Sequence, residues 1–413
     1  MVKVLTGALR THRWLALMGG GFVLSSIGSG LTFVIVFGEL LRLHAPASSL
    51  AIAYILSSAP GLLGSKLGQK LCVNKSPFEI LIIGELLGFL GLVFPVYGVT
   101  SSSVPALLMA ECATAFATGM TLPAIYLIFK RGLSESEMPV ATGIDTLIFS
   151  AHVFFGVGVG ALLYGKLSSL ALLLVDAASF LASTAFMVIA SRNFRWEKDS
   201  AEIEIIAELP WCTLSTIQRR GVLLLPMLAL VGSPAMALLP VLAPVTGEAN
   251  QTGIALPLLF ARSLGQLFGP FLIPASRFNE NSRSNKLIFG CLALFLGCYM
   301  LVPYSDSAIL ALILIFLAHV ASNVVFALAI YSVLANFEEQ QVTAASAKSY
   351  RLQMIVSSMA PLGAGLLADQ IGPALALYSF SGVGFVVVGA LLLHNHRSPL
   401  RQKTSTTSRS SQV

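Results

Sequence analysis

The chain of 413 residues is 56% hydrophobic and only 11% charged, with a formal net charge of +6. Soluble globular domains carry about 25% charged residues, so this composition excludes a water-soluble enzyme, and the abundance of apolar side chains excludes a disordered chain. Five scattered cysteines without a C-x-x-C pair make neither a disulfide framework nor a zinc site and read as packing residues, so neither a metal nor a cofactor is expected.

A helix needs about 20 apolar residues to cross the hydrocarbon core of a bilayer. Twelve such runs follow one another. The first, 14–41, stands behind Lys3, Arg10 and Arg13. It is too long for a secretory signal and lacks a small-x-small cleavage site, so it reads as a retained span. The next five cover roughly 49–70, 78–98, 104–129, 138–164 and 169–190. A polar stretch of mixed charge, 191–220, then divides six spans from six and reads as a solvated linker, with an amphipathic surface helix as a second form. The remaining spans are 221–246, 252–275, 287–303, 307–335, 342–368 and 373–393. The expected organisation is an N-terminal six-helix bundle (1–190), the linker (191–220), a C-terminal six-helix bundle (221–396) and a basic, disordered tail (397–413).

All 25 Lys and Arg residues except Arg42, Lys166 and Arg262 fall in alternate connections or at the chain ends. Short loops rich in Lys and Arg stay on the cytoplasmic side. An even number of spans with both termini in the cytoplasm follows, and the positive charge needs no nucleic-acid partner to explain it.

The two halves echo each other at an offset of about 204 residues. Gly158-Val159-Gly160-Ala161-Leu162-Leu163 is matched by Leu362-Gly363-Ala364-Gly365-Leu366-Leu367, and Gly61 by Gly265. Such duplication is common in transporters, and small residues let membrane helices approach closely. Six spans, a linker and six spans is the form of the major facilitator superfamily. Within it, three segments resemble a subgroup that includes enterobactin exporters and macrolide efflux proteins. They are Phe22-Val23-Leu24-Ser25-Ser26-Ile27-Gly28-Ser29-Gly30 in the first span, Leu174-Val175-Asp176-Ala177-Ala178-Ser179-Phe180-Leu181-Ala182-Ser183 in the sixth, and Ser263-Leu264-Gly265-Gln266-Leu267-Phe268-Gly269 in the eighth.

The resemblance implies an all-α membrane protein with twelve transmembrane helices in two pseudo-symmetric six-helix bundles, working as a monomer in the bacterial inner membrane. It further implies secondary active transport by alternating access around a small molecule, coupled to protons, with siderophore export as the favoured activity. A multidrug or macrolide efflux pump, an importer of a ferric siderophore or anionic nutrient, and a non-transporting sensor or scaffold are the alternatives. Asp176 belongs to the sixth-span signature and is architectural on this reading. Two departures stand out. In the run Gly68-Gln69-Lys70-Leu71-Cys72-Val73-Asn74-Lys75, Val73 and Asn74 replace the Asp and Arg with which the superfamily latches one half to the other. With Gly68 and Lys75 keeping the frame of that gating loop, the latch is weakened or built differently. The fifth span has Gly156-Val157 where drug antiporters carry Gly-Pro, although Pro361 stands at the equivalent place in the eleventh.

Charges at membrane depth cost at least about 2.5–3.5 kcal/mol, so they face the bundle interior or a water-filled cavity. Arg262 falls near the middle of the eighth span, where it either grips an anionic substrate bidentately or pairs with a buried acid such as Glu111 or Glu85. Glu111 and Glu85 are the candidates for proton coupling. Asp145, early in the fifth span, is expected to meet Lys130 or Arg131. His152 and His319 fall mid-span, where an imidazole relays a proton, binds substrate, or simply donates to a backbone carbonyl. Asn323 shares a helical face with His319, so that face is expected to line the cavity. Phe33, Phe37, Phe154, Phe155 and Tyr126 are candidates for apolar walls. No H-E-x-x-H or G-x-S-x-G arrangement is present, so no catalytic activity is expected.

Overall fold

A computed structural model describes residues 1–45, 52–53, 55–194, 205–206, 208–242, 252–305 and 307–407. Backbone amides in a bilayer have no water to bond, so apolar runs of this length close their hydrogen bonds within helices. The described helices are α1 (Val2–Thr11), α2 (Arg13–Arg42), α3 (Gly61–Asn74), α4 (Pro77–Ser101), α5 (Val104–Gly132), α6 (Met138–Leu163) and α7 (Ser169–Asn193) in the first half. In the second half come α8 (Thr216–Leu242), α9 (Thr252–Phe268), α10 (Asn285–Leu301), α11 (Ala308–Asn336), α12 (Glu339–Ile371) and α13 (Pro373–Thr407). Ten of them have the length and hydropathy to cross a membrane. In chain order α3 and α9 stand where the second and eighth spans are expected, and residues 49–51 and 54 of the expected second span lie outside the described residues. Large apolar side chains turned outward, such as Leu174, Ile309 and Val386, are the surface that lipid would cover.

Helix α4 breaks at Leu92, four residues after Gly88 and just before Pro95, whose ring collides with the carbonyl four positions back. In α6 the residues His152–Gly158 form a π-helical segment. There Gly156 lies against Gly30 of α2 so closely that a β-carbon at Gly156 would come within 2.7 Å of the Gly30 Cα.

The sequence echo corresponds to a repeated packing. Within the first half α3 packs on α5, and within the second α9 packs on α11. Both contacts are backbone to backbone. A β-carbon at Gly68 would overlap the Met120 carbonyl, and one at Gly265 would overlap the Phe316 carbonyl. The halves meet where α12 lies on α3 and α5, and where α6 lies on α9 and α11.

Three features depart from the sequence reading. Helix α1 precedes the first span, with Leu5 and Ala8 buried and His12 bonded to Glu137 at 3.0 Å. The described part of the linker is not a free solvated strand, because Leu209 and Leu214 are buried and the Ile206 amide donates to the Gln340 carbonyl; residues 195–204 and 207 lie outside the described residues. Helix α13 continues to Thr407, into the segment expected to be a tail. Of the cysteines, Cys72 and Cys298 are buried as packing residues, whereas Cys212 is exposed.

Candidate functional site

A cavity of about 540 Å³ lies where the halves meet, within the range of small-molecule sites. Helices α2, α4, α5 and α6 supply most of its wall. The second half adds Leu225, Phe326 and a stripe of α12 carrying Ser346, Tyr350 and Gln353. Among the described residues that line it, four carry a carboxyl group or an imidazole, Glu85 of α4, Glu111 of α5, and Asp145 and His152 of α6, and none is Lys or Arg.

Each of the four is held differently. Glu85 is buried; its Oε1 accepts a long hydrogen bond from the Ser25 hydroxyl (3.4 Å), and its Oε2 has no partner among the described residues. Glu111 is also buried, and neither it nor Asp145 makes a hydrogen bond or ion pair with a described residue. An unpaired carboxylate in such surroundings is expensive, so these groups are stable when neutral or when a cation stands beside them. His152 Nδ1 lies 3.1 Å from the Ser26 carbonyl. A carbonyl only accepts, so Nδ1 carries the proton and Nε2 is left as the basic nitrogen of the neutral ring. The π-helical segment begins at this histidine, and such insertions are frequent at functional sites.

Aromatic rings form the apolar wall. Phe33 and Tyr126 line the cavity as expected. Phe37 stands behind Phe33 with ring centroids 4.4 Å apart. Phe154 instead meets Phe260 of α9 edge-on at 4.9 Å, joining the two halves, and Phe155 is exposed on the outside.

The second half contributes less than the sequence suggested. Arg262, His319 and Asn323 are not among the residues that line this cavity. The close approach of Gly265 and Gly269 covers the face of α11 that carries His319 and Asn323. His319 is fully buried and bonded through Nε2 to the Tyr299 hydroxyl at 2.7 Å, while Asn323 donates to the Gln266 carbonyl. Arg262 is half-buried on α9 and has no ion-pair partner among the described residues; neither Glu111 nor Glu85 meets it. Asp176 accepts from the hydroxyls of Thr32 and Ser179 and is sealed between α2 and α7.

Asp145 does not meet Lys130 or Arg131, because those cations reach across to the other half. Lys130 Nζ donates to the Leu334 carbonyl at 2.8 Å, and Arg131 pairs with Glu339 at the start of α12. Beside them Arg351 donates to Gln69 Oε1 at 2.8 Å. These contacts close the end of the bundle that carries Lys75, Lys130 and Arg131, here called the basic end. Gly68 serves by letting α3 touch α5, and Lys75 caps α3 with its side chain exposed. Gln69, Glu339 and Arg351 escaped the sequence reading, which left the latch at Val73 and Asn74 as weakened or built differently.

No protein-family model matches the chain. A stretch of 68 residues is 50% identical to an uncharacterized 29.9 kDa protein in the crtE 3′ region of Pseudescherichia vulneris, which is 16% of this chain and 25% of that protein's length. Among solved structures, a bacterial homologue of the iron transporter ferroportin in its outward-facing state is similar, with a TM-score of 0.71 and 17% identity over 93% of this chain and 99% of the other. The human organic anion transporter MFSD10 (TETRAN) gives 0.67 and 14% over 92% and 99%. The E. coli fucose:proton symporter FucP gives 0.60 and 14% over 92% and 98%. With its two packed halves and its central cavity, the chain has the all-α major facilitator fold.

Proposed function

We propose that the chain is a secondary transporter that moves a lipophilic cation outward across the cytoplasmic membrane in exchange for protons, by alternating access between its two halves. The observation that carries this reading is the composition of the central cavity: three carboxyl groups and one imidazole among aromatic walls, with no Lys or Arg among the described lining residues. Such a site attracts a cation or a proton and disfavours an anion, since a buried carboxylate is neutralised by either. The anionic-cargo reading, with a siderophore as the exported molecule, depended on Arg262 as the counter-ion. Its position off the lining weighs against that cargo and favours the multidrug or macrolide type of export. Both termini on the cytoplasmic side, as the Lys and Arg distribution implies, would put the basic end at the cytoplasm.

The test is transport by the purified chain in proteoliposomes under an imposed pH gradient. Tetraphenylphosphonium and ethidium serve as cation probes, and a catecholate chelate serves as the anion. The expected result is gradient-dependent movement of the cations that is lost in Glu111→Gln. Movement of the catecholate alone, abolished by Arg262→Ala, would overturn this proposal and restore the anionic cargo.

A further inference from the structure

We infer that the chain holds an anionic phospholipid at a second site, remote from the central cavity, in the groove between α10 and α13 at the basic end. The groove has a volume of about 520 Å³ and is lined by Phe289 of α10 and by Phe385, Val386, Gly389 and Leu393 of α13, with Asn285 and Lys286 at its mouth. Its two helices are of membrane-crossing length. Along them the mouth residues pair with Leu393 near the basic end, and Phe289 lies a turn deeper opposite Val386 and Gly389. Phe289 and Phe385 stack with centroids 4.4 Å apart and form the floor. Val386 and Leu393 stand 69% and 65% exposed at the rim, open to the acyl region of a bilayer.

The charge at the mouth selects the headgroup. Lys286 is exposed there, and Asn285 Oδ1 accepts at 3.0 Å from Nε of Arg220, a side chain that is 92% buried by its 8% exposure. Nη1 of the same guanidinium donates to the Ser282 carbonyl, while its Nη2 is buried with no partner among the described residues. The exposed ammonium of Lys286, which is on the lining, matches a phosphodiester, which offers acceptor oxygens and a negative charge, while the buried guanidinium of Arg220 stands off the lining behind Asn285 and adds to the positive field. Arg283 adds to the positive field, and Glu280 is the nearby acid that opposes it; both are exposed. Asn285 also donates to the Leu392 carbonyl at 2.9 Å, so a headgroup held at the mouth would brace α10 against α13. Basic residues near a membrane surface recognise anionic lipid in this way.

The proposal is tested by native mass spectrometry of the full chain in detergent, with phosphatidylglycerol and phosphatidylcholine of identical acyl chains supplied together. One phosphatidylglycerol is expected to stay bound in preference to phosphatidylcholine. Lys286→Glu should lower its retention by about fivefold or more, the worth of one interfacial cation. Gly389→Leu, which fills the groove, should release both lipids. Lys286 is exposed, so its variant folds and keeps the test decisive even where Gly389→Leu proves unstable. Equal retention of the two lipids, unchanged phosphatidylglycerol binding in Lys286→Glu, or a dimer peak that Gly389→Leu removes would each overturn the proposal, the last by placing a second copy of the chain in the groove.

Discussion

Removing the guanidinium of Arg131 should open the basic end. Arg131→Ala deletes the ion pair that joins α5 to α12, whose two side chains are 22% and 26% exposed. That exposure lies between two limits. A surface pair contributes about 0.2–1 kcal/mol, and loss of one partner of a fully buried pair costs about 3–5 kcal/mol. Glu339 keeps partial access to water once its partner is gone, so the expected loss is about 1–2 kcal/mol, nearer the surface limit. A contact made only when the basic end is shut shifts the closed-to-open ratio by its full free energy, here about 5- to 30-fold. Spin labels at Ser136 and Gln340, in a background with Cys212 replaced by Ser, report that ratio as a distance distribution. The wild-type chain should show mainly the short distance, and Arg131→Ala a clear long-distance population. The charge swap Arg131→Glu with Glu339→Arg should recover most of the short component. An unchanged distribution in Arg131→Ala would refute the assignment of this pair as the latch.

Other consequences follow from the same geometry. Glu111→Gln should cut pH-gradient-driven movement of a lipophilic cation at least tenfold while leaving the thermal midpoint near that of the wild type, since Glu111 makes no bond that the amide loses; a large drop in the midpoint would show a structural acid instead. Gly68→Leu should destabilise by about 1–3 kcal/mol, because its β-carbon meets the Met120 backbone and not a movable side chain; a midpoint equal to wild type would remove the α3–α5 contact from the fold's essentials. Arg262→Ala should leave cation transport within about twofold of wild type, because the residue is off the cavity lining, and a tenfold loss of transport would contradict that placement. For Glu137, outside the spans, burial raises the pKa, but the Ser134 hydroxyl and amide and the His12 ring together hold it below its ordinary value. A carboxylate depressed on folding contributes stability above its unfolded pKa and loses it as pH falls through the folded one. The gap in thermal midpoint between wild type and Glu137→Gln should therefore be present at neutral pH and shrink as pH falls below about 4.5; a gap that grows on acidification would reverse the sign.

The long apolar helices were legible because hydropathy is a one-dimensional signal. The echo of Gly61 with Gly265 marked helices that touch backbone to backbone in both halves. Position along each helix was legible too, since it is simply a count of residues. Direction around the helix was not. Arg262, His319 and Asn323 fall well inside their helices by count, but each residue turns the helix by about 100°, and only the neighbours decide which face is covered. The glycines of α9 bring it onto the His319 face of α11, so those polar groups are used in packing. Glu85, Glu111 and His152 had the same kind of signal and do reach the cavity. Arg131 and Glu339 are far apart in sequence, and nothing periodic joins them.

The duplicated halves share their packing and divide their chemistry. The acids of the central cavity all come from α4, α5 and α6, while α12 brings Ser346, Tyr350 and Gln353, which are polar and carry no acid. On the proposed reading this asymmetry sets the rule of exchange. Closing α12 over Glu111 and Asp145 while they are charged would strip water from carboxylates that have no partner among the described residues, a cost of several kcal/mol. Closing over a protonated acid, or over one with a cation beside it, avoids that cost. The empty, deprotonated carrier is thus the form least able to change its open side, and that restriction is what makes a carrier exchange one cation for another and not leak. It requires unpaired acids on one wall and a wall without cations opposite. An arginine on α12 in place of Gln353 would satisfy the carboxylates permanently and uncouple the exchange, leaving a carrier that switches freely with its cavity empty.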